Sequence, residues 1–254
     1  MDTFHTPFTA MSIRFLKIVL VFALYSCNTT YHPESLRFTD YSVEGKSVAD
    51  TTYGKYLKPF RDSMDIVMNE VVGNIAVKMD VKRPVTTLGN FLSDAFVYMA
   101  KEKFDPSASI SYLGLGSIRR TYIDAGPVTR GAIFEVMPFD NLMVLITVKG
   151  DLLKKFIEDM EEGGGVSGFT MTIKDKKVTN ILVGGKEIDL NAEYTLVSSD
   201  YYANNPNMSW FYSKAKRKDT QYLIRDAIMD YVKIMNSKSI PIGTELENRI
   251  TLGN

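Results

Sequence analysis

Apolar residues recur at helical spacing in several stretches of this chain. The first stripe steps by four, four, three and four positions, through Tyr56, Phe60, Met64, Val67 and Val71. Pro59 belongs in the first turn of this helix or kinks it. A second helix is predicted from a cap at Thr87 and the stripe Leu88, Leu92, Ala95 and Met99. Further helices are predicted over residues 130–137, over residues 151–161 and along Leu223, Ala227, Tyr231 and Met235.

Short apolar or alternating runs predict strands between these helices. The unbroken apolar run over residues 142–148 has the length of a strand, which indicates burial on both faces. Residues 110–113 predict another strand, which leads into a glycine turn. Further candidates are residues 169–173, 177–183, 194–199 and 248–252. Their spacing suits hairpins better than crossovers and no linker divides them, so we predict an α+β fold in a single compact mixed domain.

The N-terminus has the features of a bacterial secretion signal. A short basic stretch precedes an apolar run over residues 18–25, which is too short to span a membrane. Leu24-Tyr25-Ser26-Cys27 follows and resembles a lipobox, in which the cysteine is diacylated. The alternative is a buried cysteine in a soluble protein. We therefore expect a lipidated Cys27 and a bacterial cell-envelope protein whose anchor faces the periplasm.

This signal divides the sequence into three parts. A signal peptide is predicted over residues 1–26, with translation starting at Met1 or at Met11. Residues 27–43 are predicted to form a polar, lipid-anchored tether, and residues 44–254 the folded domain. Cys27 is the one cysteine of the chain, so the sequence offers neither a disulfide framework nor a cysteine-based metal site.

Composition and charge exclude several classes of protein. The 30 basic residues balance 30 acidic ones, so no positive field for nucleic-acid binding is expected. The two histidines, His5 and His32, both precede the predicted domain, so none can serve there as a base or a metal ligand. Residues 163–165 are glycines without the Lys-Ser/Thr of a phosphate-binding loop, which favours a flexible hairpin. We expect a chain without metal or cofactor that is not active alone.

One region combines the residue types that recognise a nucleotide. Arg119, Phe139 and Asn141 fall within about two dozen residues, each beside turn-forming residues. A guanidinium can hold a phosphate through two parallel N–H bonds, a ring can stack on a base, and an amide can hydrogen-bond the base edge. The alternatives are a core position for Phe139 and a local turn bond for Asn141. The pattern favours a nucleotide- or nucleoside-binding surface.

These segments resemble the C-terminal domain of the bacterial 5′-nucleotidase / UDP-sugar hydrolase family, over residues 52–252. Residues 83–90 resemble the first motif of the family, in which an arginine precedes a capped helix that begins Leu-Gly-Asn. Residues 116–119 resemble a Gly-Gly-Ile-Arg turn, and residues 125–129 and 137–141 resemble the AGPVT and PFGN segments. The match continues through residues 166–169 and 194–201.

The resemblance implies a role for each matching residue. In such proteins this domain binds the nucleotide, and a separate metallophosphatase domain holds two metals and the catalytic residues. Arg83 and Arg119 would then face the phosphate and ribose, Phe139 would stack on the base, and Asn141 would bond its edge. Divalent metals are expected on a partner chain.

Three departures from the family pattern affect this site. Gly114 stands where the family usually has asparagine, and Met79 stands where it often has a second arginine. Residues 205–208 are Asn-Pro-Asn-Met in place of a Gly-Gly-Asp-Gly loop, and proline cannot take the positive φ that glycine allows. Either Trp210 or Phe211 would supply the second stacking aromatic, and the alternative for Trp210 is packing in the core.

Two functions follow from these expectations. In the first, the chain binds a nucleoside monophosphate or related nucleotide and presents it to a separate metallophosphatase chain, as the substrate-binding subunit of a split 5′-nucleotidase in nucleotide catabolism. In the second, it is a non-catalytic lipoprotein module or scaffold that keeps the fold and has lost nucleotide binding.

Overall fold

The computed structural model describes residues 38–39, 41, 51–160, 162–245 and 248–253. The predicted signal peptide, Cys27 and both histidines lie outside these residues, as does the predicted start of the domain at residue 44. Within the described ranges, no helix is both long enough and apolar enough to cross a membrane. The helices are α1 (Thr51–Met68), α2 (Thr87–Lys103), α3 (Arg130–Val136), α4 (Gly150–Glu158), α5 (Asp200–Ala203), α6 (Ser209–Tyr212) and α7 (Ile224–Ser237).

Thirteen strands lie between and around the helices in the described residues. They are β1 (Val71–Ile75), β2 (Met79–Asp80), β3 (Ala108–Leu113), β4 (Tyr122–Ile123), β5 (Gly126–Thr129), β6 (Leu142–Lys149), β7 (Gly165–Ser167), β8 (Phe169–Lys174), β9 (Lys177–Val183), β10 (Lys186–Glu187), β11 (Glu193–Ser199), β12 (Lys216–Leu223) and β13 (Ile250–Leu252).

The central sheet has five strands in the order β12-β6-β11-β3-β7. Its pairs are antiparallel except β11 with β3, which run parallel. A second sheet has the order β10-β9-β8-β13, with β8 and β13 parallel. Antiparallel pairs predominate and two parallel pairs occur beside them, which confirms the predicted α+β class.

The central sheet is covered on both faces, as the apolar run of β6 predicts. Met143 and Leu145 pack into one core with residues of α2 and α7, while Val144, Ile146 and Val148 pack into a second core with residues of α4 and β8. Alternate side chains of a strand point to opposite faces, so an unbroken apolar strand is stable only between two apolar layers. The sheet is therefore a rigid middle layer.

Two details of the first helix differ from expectation: Pro59 lies outside the first turn, so that a kink is the alternative that stays a prediction, and Val71 lies outside the helix. Pro59 is the ninth residue of α1, not part of its first turn, and the helix contains no buried residue. The predicted stripe is exposed: Tyr56, Phe60, Met64 and Val67 are between 50% and 69% exposed. The helix ends at Met68, and Val71 begins β1 instead, because it pairs with Thr129 of β5.

The triple glycine at residues 163–165 is not a flexible hairpin. Gly165 begins β7, which is buried and pairs with the end of β3. A Cβ atom on Gly165 would lie 2.3 Å from the carbonyl oxygen of Gly89, so this glycine allows β7 and α2 to approach at backbone distance.

Candidate functional site

The candidate site lies at one edge of the central sheet. Because β3 and β11 run parallel, both end at this edge, and β6 runs antiparallel to β11 and begins there. In register, Ser199 at the end of β11 faces Met143 at the start of β6. Three connections therefore meet: the turn after β3, the turn before β6 and the helix after β11.

These connections enclose a cavity of about 240 Å³. The turn after β3 contributes Gly116, Ser117 and Arg119, the turn before β6 contributes Phe139 and Asn141, and the segment after β11 contributes Tyr201, Tyr202 and Asn205. Three residues predicted from the sequence, Arg119, Phe139 and Asn141, thus line one pocket. Whether they bind a nucleotide stays a prediction.

Arg119 lies over the ring of Phe139. Its Cζ atom is 4.7 Å from the ring centroid, which is a cation–π arrangement. Its guanidinium also donates to the carbonyl oxygen of Gly116, in the turn that precedes it. The neighbouring Ile118 is buried in the first core, and the backbone N–H of Arg119 donates to the carbonyl of Val136, so the backbone is fixed while the side chain is exposed.

The turn that carries Phe139 and Asn141 is held on both sides. The carbonyl of Asn141 accepts a 3.0 Å hydrogen bond from the N–H of Ile224, the first residue of α7. The N–H of Leu142 donates to the Asp200 carboxylate, 3.0 Å away at the start of α5. Phe139 is half-buried and packs against the first core, so one part of the ring is anchored and another part lines the pocket.

Tyr201 is a second aromatic of the pocket that the sequence analysis missed. Ser199 caps α5, accepting from the N–H of Tyr202, and so starts a helical turn directly beyond the end of β11. That turn leaves Tyr201 61% exposed and places it among the residues that line the cavity. The cap Ser199-Asp200 at a strand end was the available signal, because it marks the first residues beyond the sheet edge.

The departure at Gly114 is explained by Tyr202. A Cβ atom at Gly114 would lie 2.4 Å from the Tyr202 hydroxyl oxygen, so this hydroxyl takes the space of a side chain at residue 114. The hydroxyl lies 3.1 Å from Ser117 Oγ and donates to the Gly114 carbonyl at 3.4 Å. Burial raises the pKa of Tyr202 above its usual value, so at neutral pH the hydroxyl keeps its proton.

Arg83 is not brought to this pocket. Its guanidinium pairs with the Glu162 carboxylate at 2.5 Å, in the segment before β7, and both side chains are exposed. The pair of arginines implied by the resemblance therefore does not converge in this structure. Exposed pairs of this kind are weak, so Arg83 remains available to an anion that approaches from outside the pocket.

Trp210 and Phe211 do not close the pocket, which corrects the expected position of the second aromatic. Phe211 is fully buried in the second core and stacks on Phe156 of α4, with ring centroids 4.2 Å apart. Trp210 packs against the same core, with Lys155 Nζ 5.1 Å from its ring centroid. Packing against α4 fixes both rings away from the residues that line the cavity.

The segment at residues 205–208 is rebuilt without glycine conformations. The Asn205 side chain caps a short 3₁₀ turn, Pro206–Met208, by accepting from the N–H of Asn207 at 3.0 Å. Proline suits the first position of such a turn because its φ is already helical. An open groove lined by Asn204, Asn205 and Asn207 continues from the pocket past Asn141 and Tyr201.

A second groove, on another part of the described surface, is lined by none of the predicted site residues. This groove of about 500 Å³ lies between α4 and the β9–β10 hairpin, bordered by Lys154, Glu158 and Asn180. Among the described residues, no three His, Cys, Asp or Glu side chains gather closely enough to hold a metal ion. The expectation of metals on a partner chain stays a prediction.

Comparison with known proteins gives consistent matches. The family model of the 5′-nucleotidase C-terminal domain matches residues 71–212. The trifunctional nucleotide phosphoesterase protein YfkN of Bacillus subtilis is 28% identical over 218 residues, covering 76% of this chain and 14% of that protein. A 5′-nucleotidase of Vibrio cholerae is 24% identical, covering 61% of this chain and 29% of that protein.

A solved structure shares the fold. The 5′-nucleotidase precursor of Thermus thermophilus superposes with a TM-score of 0.69 at 24% identity, over 81% of this chain and 44% of that one. This chain thus spans less than half of that structure and less than a third of the two curated relatives. The matched residues contain the whole pocket, since they run from before Gly116 to beyond Asn205. The chain belongs to the family of 5′-nucleotidase C-terminal domains.

Proposed function

We propose that this chain is the nucleotide-binding subunit of a split 5′-nucleotidase, in which a separate metallophosphatase chain hydrolyses the phosphoester. The observation that carries the proposal is the convergence of Arg119, Phe139 and Asn141 in one pocket. Nucleotides are the proposed class of substrate because one relative is named a nucleotide phosphoesterase and another a 5′-nucleotidase.

The pocket residues supply complementary contacts for a nucleoside. The rings of Phe139 and Tyr201 offer two π-faces for a base, and the Asn141 amide can both donate to and accept from the base edge. Arg119 is the charged residue of the lining, so it attracts the ribose and phosphate side of the ligand. It must first leave the Phe139 ring, which costs about 0.5–1 kcal/mol at an exposed site.

The size of the cavity favours a nucleoside held inside and a phosphate held outside. At about 240 Å³ it is smaller than most small-molecule pockets, which span about 300–1,000 Å³. A nucleoside monophosphate would therefore place its phosphate near the mouth, where a second chain can reach it. Such an arrangement separates recognition of the base from the chemistry at phosphorus.

Binding and turnover test this proposal with the purified full chain. Calorimetric titration with adenosine, AMP and UDP-glucose is expected to show binding of at least AMP. Phosphate release from AMP is expected to be absent with this chain alone and faster with both chains than with the metallophosphatase chain alone. The candidate partners to test are metallophosphatase chains encoded in neighbouring reading frames.

Three results would contradict the proposal. Silence with all three ligands would remove the binding role, and equal rates of phosphate release with and without this chain would remove the partnership. Turnover by the isolated chain would overturn the division of labour between two chains.

A second candidate function is a lipoprotein module that has lost nucleotide binding. Three observations favour it: the rebuilt segment Pro206–Met208, the position of Arg119 on the Phe139 ring, and the ion pair of Arg83 with Glu162. This module would co-purify with a partner chain although the titrations show no binding.

We further propose that Cys27 is diacylated and holds the chain at the cell envelope, facing the periplasm. Two acyl chains give stable membrane association, whereas one gives only marginal binding. Replacing Cys27 with serine is expected to move the protein from the membrane fraction to the soluble fraction and to abolish labelling by a palmitate analogue. The control is Ser26→Ala, which keeps a small residue before the cysteine. Unchanged fractionation of Cys27→Ser would refute the anchor.

A further inference from the structure

Arg225 is a buried arginine directly behind the candidate pocket. It is the second residue of α7, whose first turn lies at the same sheet edge as the pocket. Its side chain is only 8% exposed. Burying a guanidinium costs free energy unless charge and hydrogen bonds compensate, so its partners indicate what the arginine does there.

The guanidinium of Arg225 contacts three consecutive residues of the turn before β6, which are Pro138, Phe139 and Asp140. Nη1 lies 3.2 Å from the carbonyl oxygen of Pro138 and 3.3 Å from that of Phe139. Nη2 donates to Asp140 Oδ1 at 2.5 Å. The planar group also lies on the ring of Phe134, 3.9 Å from its centroid. One side chain thereby fixes the backbone on both sides of Phe139.

Stability alone is a poor explanation for an arginine here. Its Nε atom is buried and has no hydrogen-bond partner among the described residues. A buried donor without a partner is unfavourable, and buried ion pairs can often be replaced by apolar residues at no net loss. The contacts that Arg225 makes are with residues 138–140 of the turn and with the ring of Phe134 in α3.

We propose that Arg225 is a positioning residue for the nucleotide pocket, which fixes the 138–141 turn and so aims Phe139 and Asn141. This inference rests on the proposed nucleotide-binding function. Because a phenylalanine side chain has few rotamers on a given backbone, fixing the carbonyls of Pro138 and Phe139 fixes the direction of the ring. The N–H of Ile224, bonded to the Asn141 carbonyl, holds the other end of the turn.

Asp140 completes this clamp from within the turn itself. It stands where the resembling PFGN segment has glycine, a residue without a side chain to bind an arginine. The Asp140 side chain is 78% exposed, yet its carboxylate faces the nearly buried guanidinium. Charge-assisted hydrogen bonds of this kind are short and directional, so the pair restricts a turn that glycine would leave freer.

Two conservative substitutions test the proposal without removing the buried side chain. Arg225→Lys keeps the charge and loses the forked donors, and Asp140→Asn keeps the shape and loses the carboxylate. The affinity for AMP is expected to fall about fivefold to twentyfold in each, since small misplacements of recognition groups weaken binding. The effect is expected to become smaller in a Phe139→Ala background, because part of the influence of Arg225 is exerted through that ring and the rest through Asn141.

A matched control separates positioning from stability. Arg249 is also largely buried, 19% exposed, and donates to the Asp94 carboxylate and to the Val166 carbonyl, away from the pocket. Arg249→Lys is therefore expected to lower the melting temperature about as much as Arg225→Lys while leaving AMP affinity unchanged. Equal loss of affinity in both variants would overturn the proposal.

A second readout is independent of ligand. With 4-fluorophenylalanine at position 139, the fluorine NMR spectrum of the parent chain is expected to show one narrow line. Arg225→Lys is expected to broaden or split it, whereas Arg249→Lys is not. An unchanged line in Arg225→Lys would overturn the positioning role. If the line responds while the parent chain fails to bind AMP, the proposed function fails and the positioning role stands.

Discussion

Replacing Phe139 with alanine is expected to weaken AMP binding about fivefold to 150-fold, because stacking of a base on a ring contributes about 1–3 kcal/mol. The ring is the central platform of the pocket, with Arg119 over it and Asn141 two residues along the same turn. Calorimetric titration of the full chain with AMP measures the loss.

Two control variants separate stacking from packing. Phe104, like Phe139, is partly buried against the first core, but it lies against Tyr222 and does not line the pocket. Phe104→Ala is expected to lower stability by a similar amount without changing AMP affinity. Phe139→Leu keeps apolar volume and loses the π-face, so it should bind nearly as weakly as Phe139→Ala. Parent-like affinity in Phe139→Leu would exclude base stacking on this ring.

Much of the site was predictable because its residues belong to local motifs. Arg119 follows a glycine turn, and Phe139 and Asn141 flank Asp140 in a turn before an apolar strand. These signals need no knowledge of which strands are neighbours. Tyr201 was missed because its place in the pocket depends on the parallel pairing of β11 with β3, which brings the ends of two distant strands together.

The expectation at Trp210 and Phe211 failed because of another long-range contact. The resemblance implied a stacking ring at one of these positions, but the sequence does not reveal that Phe156 of α4 packs against Phe211. Stacking of Phe211 on Phe156 buries it completely. Arg225 was missed for a similar reason, since its contacts with Pro138 and Asp140 span more than 80 positions of sequence.

The fold was predictable where local periodicity and tertiary packing agree. The apolar run of β6 requires two apolar layers, and the structure provides them. At Val71 local periodicity and strand pairing disagree. The helical spacing continues to this residue, but its pairing with Thr129 makes it part of a strand. Periodicity also identified α1 correctly without indicating what its exposed stripe faces, because a pattern shows only that one side of a helix is apolar.

Gly168 lies where the chain passes from one sheet to the other. It follows β7 of the central sheet and precedes β8 of the second sheet. Its φ is +79°, and a Cβ atom there would lie 1.7 Å from the carbonyl oxygen of Ser109 in β3. Its own carbonyl accepts from the N–H of Gly184, which ties the crossing point to the end of β9.

Gly168→Ala is therefore expected to reduce the free energy of unfolding by about 4 kcal/mol or more, at the upper end of single-residue effects. The left-handed φ accounts for about 1–2 kcal/mol, and the clash with a backbone atom in a paired strand supplies the rest. For a domain of this size the melting temperature would fall by about 8–16 °C. Thermal unfolding followed by circular dichroism measures the shift.

Gly184→Ala is the matched control for this change. Gly184 also has a positive φ, +57°, but no atom lies within 4 Å of a Cβ placed there. Its substitution should therefore cost only the conformational part, about 1–2 kcal/mol. The two variants are expected to differ clearly in melting temperature. If Gly168→Ala and Gly184→Ala melt within about 2 °C of each other, their free energies of unfolding differ by less than about 1 kcal/mol, and the close approach of Gly168 to Ser109 then adds no steric cost.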